Sequence, residues 1–186
     1  MNEMPGKKWA CVVAHPDDEV LWAGGLLQRG DWTVICCSIP RRDPIRAWNF
    51  FKCCDVLGVK TKLLPFEESE PDTLLGQLNL LDLDQYDVVF THNAKGEYGH
   101  FHHQQVHKHV VQNYEGRIFT FGYGSSEGKY QWTNKLSEVE TDIKMKALQC
   151  YSHEMPYHGV VMPKWKALLT RYMHDTHLDK ERFNAL

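Results

Sequence analysis

The chain has 186 residues, 42% of them hydrophobic and 24% charged, which suits one soluble globular domain, residues 1–186, with a core of its own. A formal net charge of −3 gives no basic footprint, so no nucleic-acid partner is expected. No apolar run approaches membrane-spanning length, and residues 1–8 lack the apolar core of a signal peptide.

In chain order, a buried strand is predicted over residues 9–14, a helix over 19–29 and a second strand over 33–38. A helix over 45–57, a strand over 61–65, a helix over 74–83 and a strand over 87–92 follow. Next come a helix over 101–113 and a strand over 117–121. The tail differs: 129–136 reads as an edge strand, and 140–151 and 164–174 as helices. Alternating strands and helices, with strands that are nearly continuous apolar runs, predict an α/β, Rossmann-like fold. Its sheet is mostly parallel, with helices on both faces. The six cysteines show no C-x-x-C spacing: Cys36-Cys37 and Cys53-Cys54 are adjacent pairs, and Cys11 and Cys150 stand alone. They read as reduced thiols, which predicts a cytoplasmic location.

Ligands of such sheets gather beyond the carboxyl ends of the strands. Three polar clusters fall there: His15-Pro16-Asp17-Asp18-Glu19, Arg41-Arg42-Asp43, and the stretch THNAKGEYGHFHH over residues 91–103. Asp17 or Asp18 alone would pass as a helix N-cap. A histidine three residues before Asp18 changes that, because imidazole plus carboxylate is a common start to a transition-metal site. His100, His102 and His103 at a helix start, with His107 and His109 beyond, fit either a solvated polar face or a metal site. Position at a strand end favours the metal. Gly24-Gly25 is adequately explained by close packing of the first helix on the sheet. No G-x-G-x-x-G supports dinucleotide binding, and no G-x-S-x-G elbow supports a serine hydrolase.

Together, AHPDDE after the first strand and GEYGH..H after a later one resemble the LmbE-like (PIG-L) metal-dependent de-N-acetylases, the N-acetylglucosaminyl deacetylases. Arg46 ahead of Leu57-Gly58, and KALQCYSHE from Lys146, extend the likeness over most of the chain. The resemblance implies that His15, Asp18 and His103 bind a divalent ion, Zn2+ or another such as Fe2+. It implies Asp17 as general base, His100 as oxyanion stabiliser or acid, Tyr98 beside the substrate carbonyl, and Arg46 on the substrate. His102 stands where the family has aspartate, and Asn49 where it often has glutamate. The implied reaction removes acetyl from an N-acetylglucosamine-type conjugate, with an anionic aglycone suggested by the arginines, and releases acetate and a free amine. An amidase or esterase with a non-sugar substrate and a silent binding protein are the alternatives. The sequence leaves the oligomeric state open and allows a homo-oligomer.

Overall fold

The computed structural model describes residues 7–38, 44–64, 78, 81–123, 131–172 and 178–186. Strand β1 (Trp9–Val13) is buried at every position because apolar layers cover both faces of the sheet. Trp9, Cys11 and Val13 enter one cluster, and Ala10 and Val12 enter the other. β1 pairs in parallel with β2 (Trp32–Cys36) on one side and β4 (Val88–Thr91) on the other. Beyond β2 lies β3 (Lys60–Leu63), and beyond β4 lies β5 (Arg117–Phe121), both parallel to their neighbours. The chain therefore builds outward in one direction, returns to the middle and builds in the other. The crevice at that switch, beyond the carboxyl ends of β1 and β4, is where such folds place their ligands.

On the Trp9 side lie α1 (Asp18–Ala23), α2 (Pro44–Leu57) and α4 (Glu138–Gln149), with Leu168 of α5 (Lys164–Tyr172). On the other side α3 (Phe101–Asn113) packs through Val106 and Val110. Both faces are thus covered, as the alternating pattern requires. Of the helix expected over 74–83, only Leu78 and residues 81–83 are described; Leu78 is helical, residues 81–83 are not, and Leu78, Leu81 and Leu83 are buried. The Arg41-Arg42-Asp43 cluster lies outside the described residues.

Three expectations change. The first helix ends at Ala23 instead of reaching Arg29, and a short 3-10 turn, Leu26–Gln28, follows. The buried Glu181 carboxylate accepts the Gly25 and Leu26 amides at 2.6 and 2.8 Å, and Lys144 Nζ pairs with it at 2.7 Å. Those amides leave the helical ladder for a charged acceptor, which stops the helix. Gly25 has no room for a side chain, since a Cβ would come within 2.2 Å of Leu136. Its close approach is therefore to the residue after β6 (Trp132–Lys135), not to the sheet. Second, the tail holds a strand that was not anticipated, β9 (Lys180–Ala185), inserted antiparallel between β5 and β6. Its polar composition conceals it; only Phe183 and Ala185 are apolar. β6 itself lies at the sheet edge as expected. Third, β7 (Glu154–Tyr157) and β8 (Val160–Pro163) form a separate hairpin. His158 and Gly159 turn it with φ of 48° and 80°, the left-handed pair that suits a two-residue hairpin.

A capping box starts α4: Ser137 Oγ accepts the Glu140 amide, and the Glu140 carboxylate accepts the Ser137 amide. Arg29 holds the same carboxylate through Nε and through Nη2 at 2.7 Å. The Arg29 hydrogen bond pulls Glu140 down to about 2 from 4.5, against a smaller opposing effect of burial. Because the folded value lies below the unfolded one, this contribution to stability is present above pH 4.5 and is lost as pH falls towards 2. Thermal melts should show wild-type Tm falling more steeply across that window than the Tm of Glu140→Gln. Parallel curves would remove the pair from the stability balance.

Candidate metal and catalytic centre

β1 delivers the chain into the crevice through Ala14, whose amide donates to His92 Nε2 at 2.9 Å. The backbone then folds tightly, with the Asp18 amide donating to the His15 carbonyl at 3.3 Å and the His15 amide donating to Asp18 Oδ2 at 2.9 Å. Asp17 at the corner has φ 108° and makes no side-chain cap bond. Capping therefore does not explain the aspartates.

Three donor atoms from two distant segments meet here. His15 Nδ1 lies 3.2 Å from His103 Nε2, and each lies 3.3 Å from Asp18 Oδ2. Ligands of a tetrahedral ion at 2.0–2.1 Å are separated by about 3.3 Å. The triangle fits a divalent transition metal, and two imidazoles with one carboxylate are a donor set such ions accept. Charges agree. Burial pushes His103 down, but Asp18 and Glu97 on either side outweigh it and carry the ring up to about 10. Burial likewise works against an ionised Asp18, yet the His103 charge and the bonds from His103 and His15 hold it well below the usual carboxylate range. The pocket stabilises positive charge between carboxylates.

Behind the triangle stands Glu97, buried and itself in a left-handed conformation with φ 55°. Its Oε2 lies 2.6 Å from His103 Nδ1 and 2.8 Å from His92 Nδ1, and its Oε1 accepts the Asn93 amide at 2.9 Å. Both Nδ1 atoms therefore carry hydrogens, so a metal ion that displaced the second proton of His103 would meet its Nε2 lone pair in the triangle. His92 Nε2 comes within 3.5 Å of Asp18 Oδ2, but its lone pair already takes the Ala14 amide. His92 is a support and not a donor to the triangle. His15 Nε2 meets His102 Nδ1 at 3.2 Å, so the residue that departs from the family pattern backs a ring of the triangle. The other departure, Asn49, bonds His153 Nδ1 at 3.0 Å.

Asp17 points elsewhere. Its Oδ2 takes Arg46 Nη2 at 2.8 Å and Lys164 Nζ at 3.0 Å. Arg46 also donates through Nε to the Pro16 carbonyl at 2.8 Å, so it grips the AHPDDE turn itself. Glu19 Oε2 accepts the Asp17 amide at 2.9 Å, and Glu19 Oε1 accepts the Tyr151 hydroxyl at 2.6 Å. Burial lifts Glu19 to about 7, against the Tyr151 bond and with the Asp17 charge.

A cleft of about 180 Å³ opens above these groups. His15, Asp17, Asp18, Arg46, Tyr98 and His100 line one wall; the β7–β8 hairpin and α5 supply the other through Met155, Tyr157, Lys164, Ala167, Leu168 and Arg171. His103 lies beneath, fully buried. His100 is the extended N-cap residue of α3 and so lies outside the helix that carries His103. Its ring stacks 4.5 Å from His103 and meets His15 edge-on at 4.6 Å, and among the described residues its Nδ1 has no hydrogen-bond partner. Burial, then the His103 charge, lowers it to about 4. Tyr98 is 40% exposed, with the Arg171 guanidinium 5.6 Å over its ring. His107 and His109, which a solvated helix face would expose, instead turn inward: His109 is buried and His107 Nδ1 meets the His92 carbonyl at 2.8 Å.

All seven residues singled out in the sequence thus converge at this crevice. Glu97, His92 and Lys164 were missed. Glu97 and His92 lie inside the quoted 91–103 stretch, so the signal existed; Lys164 follows a hairpin that has no motif.

A doubly wound α/β sheet with a two-histidine, one-aspartate centre at its switch point defines the class of the protein. The family model described as PIG-L, GlcNAc-PI de-N-acetylase, matches residues 10–114, more than half of the chain. The chain belongs to the PIG-L family. Among curated relatives, it is 28% identical over 138 residues to the uncharacterized protein L374 of Acanthamoeba polyphaga mimivirus, covering 62% of this chain and 61% of that one. It is also 28% identical over 152 residues to the 1D-myo-inositol 2-acetamido-2-deoxy-alpha-D-glucopyranoside deacetylase of Corynebacterium diphtheriae, covering 58% and 52%. The chain thus spans less than two thirds of either relative. Solved structures share the fold. GalB, the 4-carboxy-2-hydroxymuconate hydratase of Pseudomonas putida KT2440, gives a TM-score of 0.67 at 16% identity over 97% and 96% of the two chains. A deacetylase of the teicoplanin biosynthetic pathway gives 0.65 at 12% over 96% and 98%.

Proposed function

We propose that the protein is a metal-dependent hydrolase that removes acetyl from an N-acetylglucosamine-type conjugate, releasing acetate and a free amine. One observation carries this reading above the others: a donor triangle sized for a divalent ion lies beside a separate carboxylate that is held but not consumed by it. A structural metal site has no use for that second carboxylate. Family membership and the name of the Corynebacterium relative support the amino-sugar substrate. The fold alone would not choose, since it also serves a hydratase.

His15, Asp18 and His103 would hold the ion, zinc or another such as Fe2+. When bound, such an ion supplies Lewis acidity that polarises a carbonyl and brings the pKa of water to about 7. Asp17, facing the cleft, accepts the proton that the nucleophilic water gives up. His100, on the wall between the triangle and Tyr98, donates its ring N–H to the carbonyl oxygen as charge develops there, and the proton held by Asp17 passes to the leaving amine. Tyr98 flanks the carbonyl. Arg46, which the family pattern places on the substrate, orders Asp17 and Pro16 from its present position. Arg171 at the mouth takes over as the contact for an anionic aglycone, because guanidinium suits carboxylate and phosphate. The six unpaired cysteines support a reducing compartment, the cytoplasm.

The test is a panel of N-acetylglucosamine conjugates bearing inositol, malate, a nucleotide diphosphate or a chitooligosaccharide, scored for both acetate and amine. One member should yield the two products in equal amounts. If the metal-loaded protein releases no amine from any of them, or hydrates a double bond instead, the reading fails. Arg171→Ala should raise KM about tenfold for a conjugate with an anionic aglycone, the size of one charged hydrogen bond, and leave a neutral one unchanged.

A further inference from the structure

Lys164 has no part in the family pattern, yet it is the first residue of α5 and only 6% exposed. That placement is unfavourable on two counts. A cation at a helix N-terminus opposes the macrodipole, and a buried ammonium is costly unless it is paired. Its ion pair is with Asp17 Oδ2, at 3.0 Å. Arg46 already supplies a full positive charge to that same oxygen at 2.8 Å, so neutralising Asp17 does not require Lys164.

Geometry accounts for the second cation. Arg46 comes from α2 and Lys164 from α5, so Oδ2 is held from two separate elements. The two elements are also tied together. The Lys164 amide donates to the His153 carbonyl at 2.8 Å, and the His153 ring bonds Asn49, one turn after Arg46 on α2, at 3.0 Å. Below, the Asp17 backbone is fixed at φ 108° with its amide on Glu19. Asp17 Oδ1 takes part in none of the side-chain hydrogen bonds or ion pairs among the described residues, all of which fall on Oδ2. One cation on one oxygen would leave the carboxylate free to swing about its last torsion. Two, from converging directions, stop it.

We propose that Lys164 is a positioning residue: with Arg46 it clamps Asp17 Oδ2 and so presents Oδ1, in a fixed orientation, as the oxygen that accepts the proton. The proposal rests on the reading of Asp17 as proton acceptor. Lys164 does not touch the reacting atoms; it acts through Asp17.

The experiment uses the metal-loaded protein and the conjugate found active in the panel. Lys164→Met keeps the volume of the buried stem and removes the charge. It should lower kcat about 10–100-fold, in line with the cost of a small misplacement of a reacting group, while KM stays within about threefold and metal content is unchanged. Lys164→Arg should recover most of kcat. The deciding measurement is the double-mutant cycle: in the Asp17→Asn background, Lys164→Met should cost nothing further. Undiminished kcat in Lys164→Met, an equal loss in both backgrounds, or a change in KM alone would overturn the proposal. If Lys164→Met does not fold, Lys164→Gln, which retains a hydrogen bond to Oδ2, enters the same cycle with the same expectation at a smaller loss. Full activity of Asp17→Asn alone would sink the proton-acceptor reading itself, which is a different result from an active, metal-loaded Lys164→Met beside an inactive Asp17→Asn.

Discussion

Asp17→Asn is expected to purify with its full complement of metal and to lose roughly 10²–10⁴-fold in turnover, the worth of a positioned general base. The substitution disturbs little else. Asparagine tolerates a left-handed backbone better than almost any residue other than glycine, and Asp17 sits at φ 108°. Arg46 and Lys164, both donors on Oδ2, will select the carbonyl oxygen of the new amide. Its NH2 group then occupies the place of Oδ1, where it can donate but cannot accept a proton. The lesion is chemical and not structural. Elemental analysis alongside kcat decides it: a variant that came off the column without metal would make Asp17 a ligand, and a variant of undiminished turnover would make it a bystander.

The sequence made the centre legible for a physical reason. A strand end followed by a tight turn leaves few ways to arrange His15, Asp17 and Asp18. Because the spacing is local, the residue types speak for themselves. The central parallel strands were equally plain, since burial on both faces writes a nearly continuous apolar run such as Trp9–Val13. What failed to show depended on partners remote in sequence. Helix α1 stops at Ala23 because Glu181, 156 residues from Gly25, captures its amides. β9 is polar because its register carries that same glutamate and Arg182 between β5 and β6. Lys164 reaches Asp17 only through the hairpin that places α5 over the cleft, and nothing in its flanking sequence signals a partner so far away. Glu97 is the middle case. It lies within a quoted motif, but its role as the carboxylate behind His103 and His92 needs the kinked turn over residues 96–99, where φ is 55° at Glu97 itself.

A graded series of metal affinities should separate the donors from their supports. Asp18→Ala and His103→Ala each remove a corner of the triangle, and both are expected to purify without metal and without activity, partly restored by excess zinc. Asp18→Ala has a second cost, because the carboxylate also accepts the His15 amide and the Trp22 indole N–H at 3.2 Å, so its Tm should fall as well. Glu97→Gln keeps an acceptor for His103 Nδ1 but loses the charge that makes the ring a stronger donor; such supporting changes cost about 10–100-fold in metal affinity. His102→Phe, which strips His15 Nε2 of its partner at 3.2 Å, belongs in the same range. Both should regain turnover when metal is saturating, because the acceptor oxygen on Asp17 is untouched. Competition with a chelator measures all four against wild type, with Asp17→Asn as the variant whose affinity does not move. An Asp18→Ala protein that stayed fully loaded yet inactive would exchange the roles of the two aspartates: Asp18 would be the base, and Asp17, for all its two cations, the ligand.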